Sequence, residues 1–255
     1  MNNKNFKLGL KLWSSNISLI PEVNRLYEQG EYHYLELFAI PGSYAETISK
    51  WSSCKIPYVI HAAHYLSGMD LSDPNKIESN QNLISEAISF AGSLSATQII
   101  FHPGVKGTLK ETARQLKLIN DNRLLIENVP LSSIDGKYEL LGSTPEDIQL
   151  LLKSVPHLGF CLDLVHAVCA ANSHQVDYQI FLKEFLALHP PLIHLADNDF
   201  LSKIDQHLLV GTGSLPVKKI LGLLPNDQKI TLETSKDQSN FFQLASQEAR
   251  MFYDQ

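Results

Sequence analysis

RLLIENVP (residues 123–130), TPEDIQLLLKSV (144–155) and LGFCLDLVHA (158–167) follow one another as an apolar run, a segment of helical period and a second apolar run. The two runs are apolar on both sides, as parallel strands covered on both faces must be. Thr144 and Pro145 open the intervening segment with Glu146 and Asp147 in its first turn, where acids complement the helix dipole. The unit is strand–helix–strand. Towards the N-terminus the same run recurs as TQIIFHP (97–103), YVIHAA (58–63), YHYLELFA (32–39) and KLGLKLW (7–13), and towards the C-terminus as PLIHLAD (191–197) and KITLETS (229–235). Further helical segments, KIESNQNLISEAISFAGSL (76–94), KETARQLKLIN (110–120) and DYQIFLKEFLALH (177–189), lie between them. Eight such units in 255 residues predict an α/β fold, a single (β/α)8 TIM barrel forming one domain over 1–255, with no linker-like or low-complexity stretch to divide it.

Bulk properties narrow the function. Hydrophobic residues make up 44% and charged residues 19%, a globular balance. Acids and histidines interrupt every long apolar run before it is long enough to span a bilayer, so no membrane partner is expected. MNNKNFKLGLKLW at the start lacks the apolar stretch of a secretory signal, which predicts a cytoplasmic protein. Cys54, Cys161 and Cys169 are odd in number and unrelated in spacing, which fits reduced thiols. The net charge is -6 and only Arg25, Arg114, Arg123 and Arg250 are arginine, a poor footprint for a polyanion. Nothing in the chain points to an obligate protein partner.

In a barrel of this kind chemistry gathers at the C-terminal ends of the strands. There the sequence places His61 with His64 just beyond it, His102, Glu127, Asp163 followed by His166, His194, the loop pair Asp205 and His207, and Glu233. Imidazole with carboxylate and no cysteine is a ligand set for zinc, manganese or iron. Any one of these residues alone has a structural explanation, such as a satisfied core histidine or a salt-bridge partner. Nine at one end, from six successive strands, do not, because burying so many ionisable groups without a cation is heavily penalised.

VIHAAHY (59–65), IIFHPG (99–104), LLIENVP (124–130), CLDLVHA (161–167), LIHLADND (192–199), IDQH (204–207) and ITLETS (230–235) resemble, in order, the motifs of the endonuclease IV family, zinc-dependent apurinic/apyrimidinic endonucleases among the xylose-isomerase-like barrels. The resemblance implies three divalent ions, zinc first and manganese second. One would be held by His61, His102 and Glu127; a second by Glu127 as a bridge with Asp163, His194 and Glu233; a third by His166, Asp205 and His207. It implies hydrolysis of a phosphodiester, with abasic-site DNA as the family's substrate and ions activating a water for in-line attack. His64, Tyr65, Asn128 and Asn198, beside the ligands, are expected to grip the substrate, with Lys106 and Asp197 nearby.

The chain departs from the family in two places. The bridging glutamate is followed by Asn128-Val129-Pro130-Leu131-Ser132-Ser133 rather than a Thr-Ala-Gly-Gln-Gly-like loop, and Tyr65 and Leu66 stand where the family wedges into DNA, a place where packing is the commoner use of such residues. A small phosphorylated compound is the alternative substrate. The alternative chemistry is a sugar or sugar-phosphate isomerase or epimerase, with one divalent ion and Glu127 and Glu233 as acid and base. A binding protein with a relic site is the weakest reading, since all nine ligand positions are filled.

Overall fold

Eight short strands pair in parallel and in chain order, and β1 closes on β8, in the computed structural model, which describes residues 5–253. The first four and last two residues of the 1–255 span lie outside the described residues. The strands are β1 (Lys7–Trp13), β2 (Tyr34–Phe38), β3 (Tyr58–His61), β4 (Ile99–Phe101), β5 (Leu124–Glu127), β6 (Gly159–Asp163), β7 (Leu192–Leu195) and β8 (Lys229–Leu232). The helices are α1 (Ile20–Glu28), α2 (Tyr44–Trp51), α3 (Ile77–Ser93), α4 (Leu109–Leu116), α5 (Pro145–Ser154), α6 (Leu164–His174), α7 (Tyr178–Leu186), α8 (Val217–Leu221) and α9 (Phe241–Tyr253). No helix among the described residues is long and apolar enough to cross a membrane.

The expected strand at 158–167 stops at Asp163, where an Oδ1 that accepts the His166 amide at 2.7 Å caps α6. Leu164 through Ala171 are all buried, so this helix has no polar face to distinguish it from a strand in sequence. Thr108, Thr144 and Asp177 cap α4, α5 and α7 in the same way.

Side chains of a strand alternate between faces, and here both faces are apolar at one level. Leu10, Leu35, Ile60, Phe101, Ile126, Leu162, Ile193 and Leu232 point outward into the core shared with the helices. Tyr34, Val59, Ile100, Leu125, Cys161 and Leu192 point inward and plug the barrel as a separate apolar floor. Each large side chain so buried contributes about 1.5–3 kcal/mol. Gly9 is what lets Tyr34 cross the floor. A Cβ at Gly9 would lie 2.2 Å from the Tyr34 ring, whose hydroxyl reaches Thr231 Oγ1 at 2.9 Å.

Candidate metal centre

Two residues beyond each floor position, the strand periodicity brings the next inward side chain to the mouth. The eight residues so placed are Lys11, Glu36, His61, His102, Glu127, Asp163, His194 and Glu233, one from each strand or its immediate end. Six of them are among the candidates read from the sequence. Lys11 and Glu36 are not.

The ring divides into overlapping sets whose ligand atoms all lie within 4.8 Å of one another: His61, His102 and Glu127; Glu127, Asp163, His194 and Glu233; and Asp163, His166 and Asp205. Glu127 belongs to two of these and to a further set with Cys161 and His194, with Oε2 3.1 Å from His61 Nε2 and 3.2 Å from His102 Nε2, and Oε1 3.3 Å from His194 Nδ1. The first two sets have the composition expected from the sequence. In the third, Asp163 takes the place expected of His207. The His207 imidazole stands beside that set, Nδ1 3.5 Å from Asp205 Oδ2, because Nδ1 meets the Glu233 carbonyl at 3.0 Å. His207 also holds a left-handed φ of 50°, a conformation that costs a non-glycine residue roughly 1–2 kcal/mol. Its amide donates to Asp205 Oδ1 at 2.8 Å, which ties the two residues into one turn.

Second contacts fix the imidazole tautomers. His61 Nδ1 donates to the Ala62 carbonyl at 2.8 Å, His166 Nδ1 to the Asn128 carbonyl at 2.9 Å, and His207 Nδ1 to the Glu233 carbonyl. Each leaves an Nε2 lone pair free. His194 is reversed: Nε2 donates to Glu36 Oε2 at 2.8 Å, so Nδ1 is the nitrogen that faces Glu127, Asp163 and Glu233. A histidine held by a carboxylate or carbonyl on its far nitrogen is a pre-oriented metal ligand. Glu36 is braced in turn by Thr231 Oγ1 at 2.7 Å and Lys11 Nζ at 3.1 Å, and Lys11 also reaches Glu233 at 2.7 Å.

Electrostatics show what the protein lacks by itself. Five carboxylates, Glu36, Glu127, Asp163, Asp205 and Glu233, face one lysine in a buried space. Burial opposes the charge on Lys11, but Glu233 and Glu36 outweigh it and raise its pKa. Burial likewise opposes Glu36, which His194 and Lys11 hold down at about 2. Burial, with Asp205 and Glu127 acting against His166, pushes Asp163 up to about 7. The imidazolium of His194 is disfavoured by burial, yet Cys161, Glu36 and Glu127 raise its pKa well above the ordinary value; Asp163, Asp205 and Glu127 do the same for His166. Protons thus stand in for missing positive charge. Asp205 Oδ2 and Glu233 Oε2 are buried and accept no well-formed hydrogen bond, lying instead against imidazole nitrogens, His166 Nε2 at 3.3 Å and His194 Nδ1 at 2.9 Å. Buried carboxylate oxygens beside pre-oriented imidazoles fit divalent ions held by nitrogen and oxygen.

Of the residues expected to grip a substrate, His64 and Tyr65 line a cavity of about 550 Å³ above the ring. Burial, and then the nearby His102 and His61, lower the His64 pKa well below its usual value, so it is a neutral hydrogen-bonding ring. Asn128 and Asn198 do not reach the cavity. Asn128 is fully buried and clamps the Asp163 backbone on both sides, donating to its carbonyl at 2.9 Å and accepting its amide at 2.8 Å. Asn198 is spent on the Asp199 and Ile204 carbonyls and the Gln206 amide, shaping the loop that carries Asp205 and His207. Asp197 gathers the amides of Asn198, Gly211 and Leu215. Lys106 lies 4.6 Å over the Tyr138 ring.

Residues 40–255 match the family described as xylose isomerase-like TIM barrel. A probable endonuclease 4 of Bacillus licheniformis is 23% identical over 184 residues, 67% of this chain and 62% of the relative. The chain spans about three-fifths of the length of such curated relatives. The crystal structure of endonuclease IV from Thermus thermophilus superposes with a TM-score of 0.68 at 23% identity, over 97% of this chain and 99% of that one. A D-tagatose 3-epimerase-like protein superposes with a TM-score of 0.69 at 19% identity, over 97% and 96%. Likeness at these identities is likeness of fold, and both kinds of chemistry occur on it.

Proposed function

Because the chain belongs to the xylose isomerase-like TIM-barrel family, we propose that its ligand ring makes it a phosphoester hydrolase working with three divalent ions, zinc in the first instance, in the cytoplasm. The observation that carries this reading is the rim group: His166, Asp205 and His207 stand beside a complete deep set, and the buried Asp205 Oδ2 faces both imidazoles, at 3.3 Å and 3.5 Å. An epimerase has no use for that group.

Charge points the same way. Lys11 offsets one of the five carboxylates, leaving an excess that one divalent ion would only halve. Three would turn it positive, which suits an anionic phosphoester. When bound, such ions supply Lewis-acid charge and an activated water. The residues themselves bind and orient. Glu127 joins two ligand sets, His61 and His102 hold one side, and Asp163, His194 and Glu233 the other. Lys11 holds Glu233 in place, and Glu36 keeps the His194 proton on Nε2.

The deep set also favours a second reading, since Glu127, Asp163, His194 and Glu233 are complete without the rim. With a single ion there, Glu127 and Glu233 would be the acid and base of a sugar or sugar-phosphate isomerase or epimerase. The test is direct. Zinc- or manganese-reconstituted protein should hydrolyse bis(4-nitrophenyl) phosphate and leave D-fructose and D-tagatose unchanged. Epimerised ketose without phosphoester cleavage would overturn the first reading in favour of the second.

A further inference from the structure

Residues 131–142 form a hairpin: Ser132 bridges Glu139, Ser133 N donates to the Tyr138 carbonyl at 2.9 Å, and Gly136 turns the chain with a left-handed φ of 68°. The hairpin leans on its neighbours. Leu141 N donates to the Gly104 carbonyl at 3.0 Å, Lys106 stacks on Tyr138, and Tyr65 meets the Ile134 backbone. It thereby walls the β3–β5 side of the mouth and helps to enclose the 550 Å³ chamber, a volume typical of small-molecule sites.

The wall is apolar. Phe38, Ile40, Val129, Pro130, Ile134 and Leu140 face the chamber opposite the ligand ring. At the rim Trp13, the last residue of β1, is 58% exposed, and Leu66 and Ile134, in the loops after β3 and β5, are 64% and 58% exposed. That wall offers sugar hydroxyls few partners, so polar contacts in the chamber come from the ligand ring and from His64, Ser67 and Ser132, and leaving hydroxyls unpaired is costly. It suits a ring. A second chamber of about 300 Å³ shares Lys11, Trp13, His207 and Glu233 with the first and continues to Asn16 and Ser235 on one hand and Leu19 and Phe241 on the other. The shared edge lies at the ligand ring. A phosphorus there has a largely apolar chamber on one side and one of mixed polar and apolar lining on the other.

A duplex finds little to hold it. Arg25, Arg114 and Arg250 lie on α1, α4 and α9, and Arg123 precedes β5 at the opposite end of the barrel. Of the lysines near the mouth, Lys76 is bonded to the Gly68 carbonyl, Lys137 to Asp135 and Lys236 to Glu248, which leaves Lys106, over the Tyr138 ring, and Lys203 exposed there. Polyanion affinity comes from neutralising several phosphates at once.

We infer that the substrate is a small phosphodiester with unlike arms, an aromatic or otherwise apolar ring in the larger chamber and a more polar group in the smaller, and that duplex DNA is excluded; this rests on the hydrolase reading above. In the reaction a water oxygen adds to phosphorus, the P–O bond to one arm breaks, and the departing alcohol takes the proton.

The test pairs turnover with binding on zinc-loaded protein. Turnover is read with thymidine 5′-(4-nitrophenyl) phosphate and with a duplex carrying a tetrahydrofuran abasic-site analogue; binding is read by calorimetry with diphenyl phosphate. The duplex should be cleaved with a kcat/KM at least about 100-fold below that of the small diester, as expected where the phosphate contacts of a duplex are lost. Ile134→Asp and Trp13→Ala should each weaken diphenyl phosphate binding and raise KM about tenfold with kcat little changed, the loss expected when one apolar contact of ~1.4 kcal/mol goes. A duplex cleaved better than the diester, or variants that bind diphenyl phosphate as well as the parent, would overturn the inference. If no phosphoester is cleaved but both variants lose diphenyl phosphate binding, the chamber assignment stands and the hydrolase reading falls.

Discussion

The deep and rim halves of the ring are built by different means. Glu127 and Asp163 end their strands, His194 is the last residue but one of β7, Glu233 follows β8 directly, and all four sit two residues above an inward floor position; Lys11 of β1 and Glu36 of β2, the latter held by Thr231 of β8, brace them. Barrel closure alone places them. His166 stands in the first turn of α6, while Asp205 and His207 ride a loop shaped by Asn198 and by a left-handed residue. The barrel does not require that loop. The strands of the barrel supply the deep half, and on the reading proposed above the rim half is what this chain adds to make a phosphoester centre.

The largest effect should come from the residue common to two deep sets. Glu127→Gln should lower kcat/KM by about 10³-fold or more, the several kcal/mol associated with metal-assisted charge stabilisation, while the circular dichroism spectrum is retained. Near-parental turnover would break the ring as a unit. His207→Ala separates the halves: it should remove one bound ion and about 10²-fold of phosphodiester turnover, leaving the deep ions in place. If turnover is unaffected, the rim has no part in the chemistry. Glu36→Gln tests the bracing of the deep half alone. By weakening the hydrogen bond that fixes His194, it should lower metal affinity about 10–100-fold, the usual cost of losing such support. A chelator competition titration reads it, and unchanged affinity would show that Glu36 merely fills the barrel.

The smallest effect is in pH. His166 and His194 have folded pKa values above the ordinary 6.5, so the stability they give the metal-free chain is present below that value and lost as pH rises through the folded ones. Asp163, raised to about 7, adds a loss as pH rises from about 4 to 7. Divalent ions replace the protons on these groups. The rise in Tm on adding zinc should therefore be larger at pH 8 than at pH 6, and the opposite order would contradict the proton-for-metal exchange.

Much of this is legible in the sequence because barrel strands are short, apolar and regularly spaced. β1 begins and ends where the pattern puts it. The run at 158–167 reads as too long a strand because α6 is buried all round and lacks helical contrast, leaving the Asp163 cap as the only boundary signal. Lys11 and Glu36 are easily missed because they sit mid-strand rather than at a strand end. The signal is there: Leu10-Lys11-Leu12 and Leu35-Glu36-Leu37 place charges in buried apolar runs, where a charge requires a partner. Asn128 and Asn198 look like substrate contacts because they neighbour the ligands, but only the folded loops reveal that their amides are spent on backbone. The hairpin over 131–142 is likewise visible only in three dimensions, since it is held by Tyr65, Gly104 and Lys106 from the loops after β3 and β4.

The central claim is the count of ions. Protein purified without chelators, reloaded with zinc, freed of excess and measured by elemental analysis should hold close to three ions per chain, with His207→Ala holding close to two. A single ion per chain that both His61→Ala and His207→Ala leave in place would contradict the account.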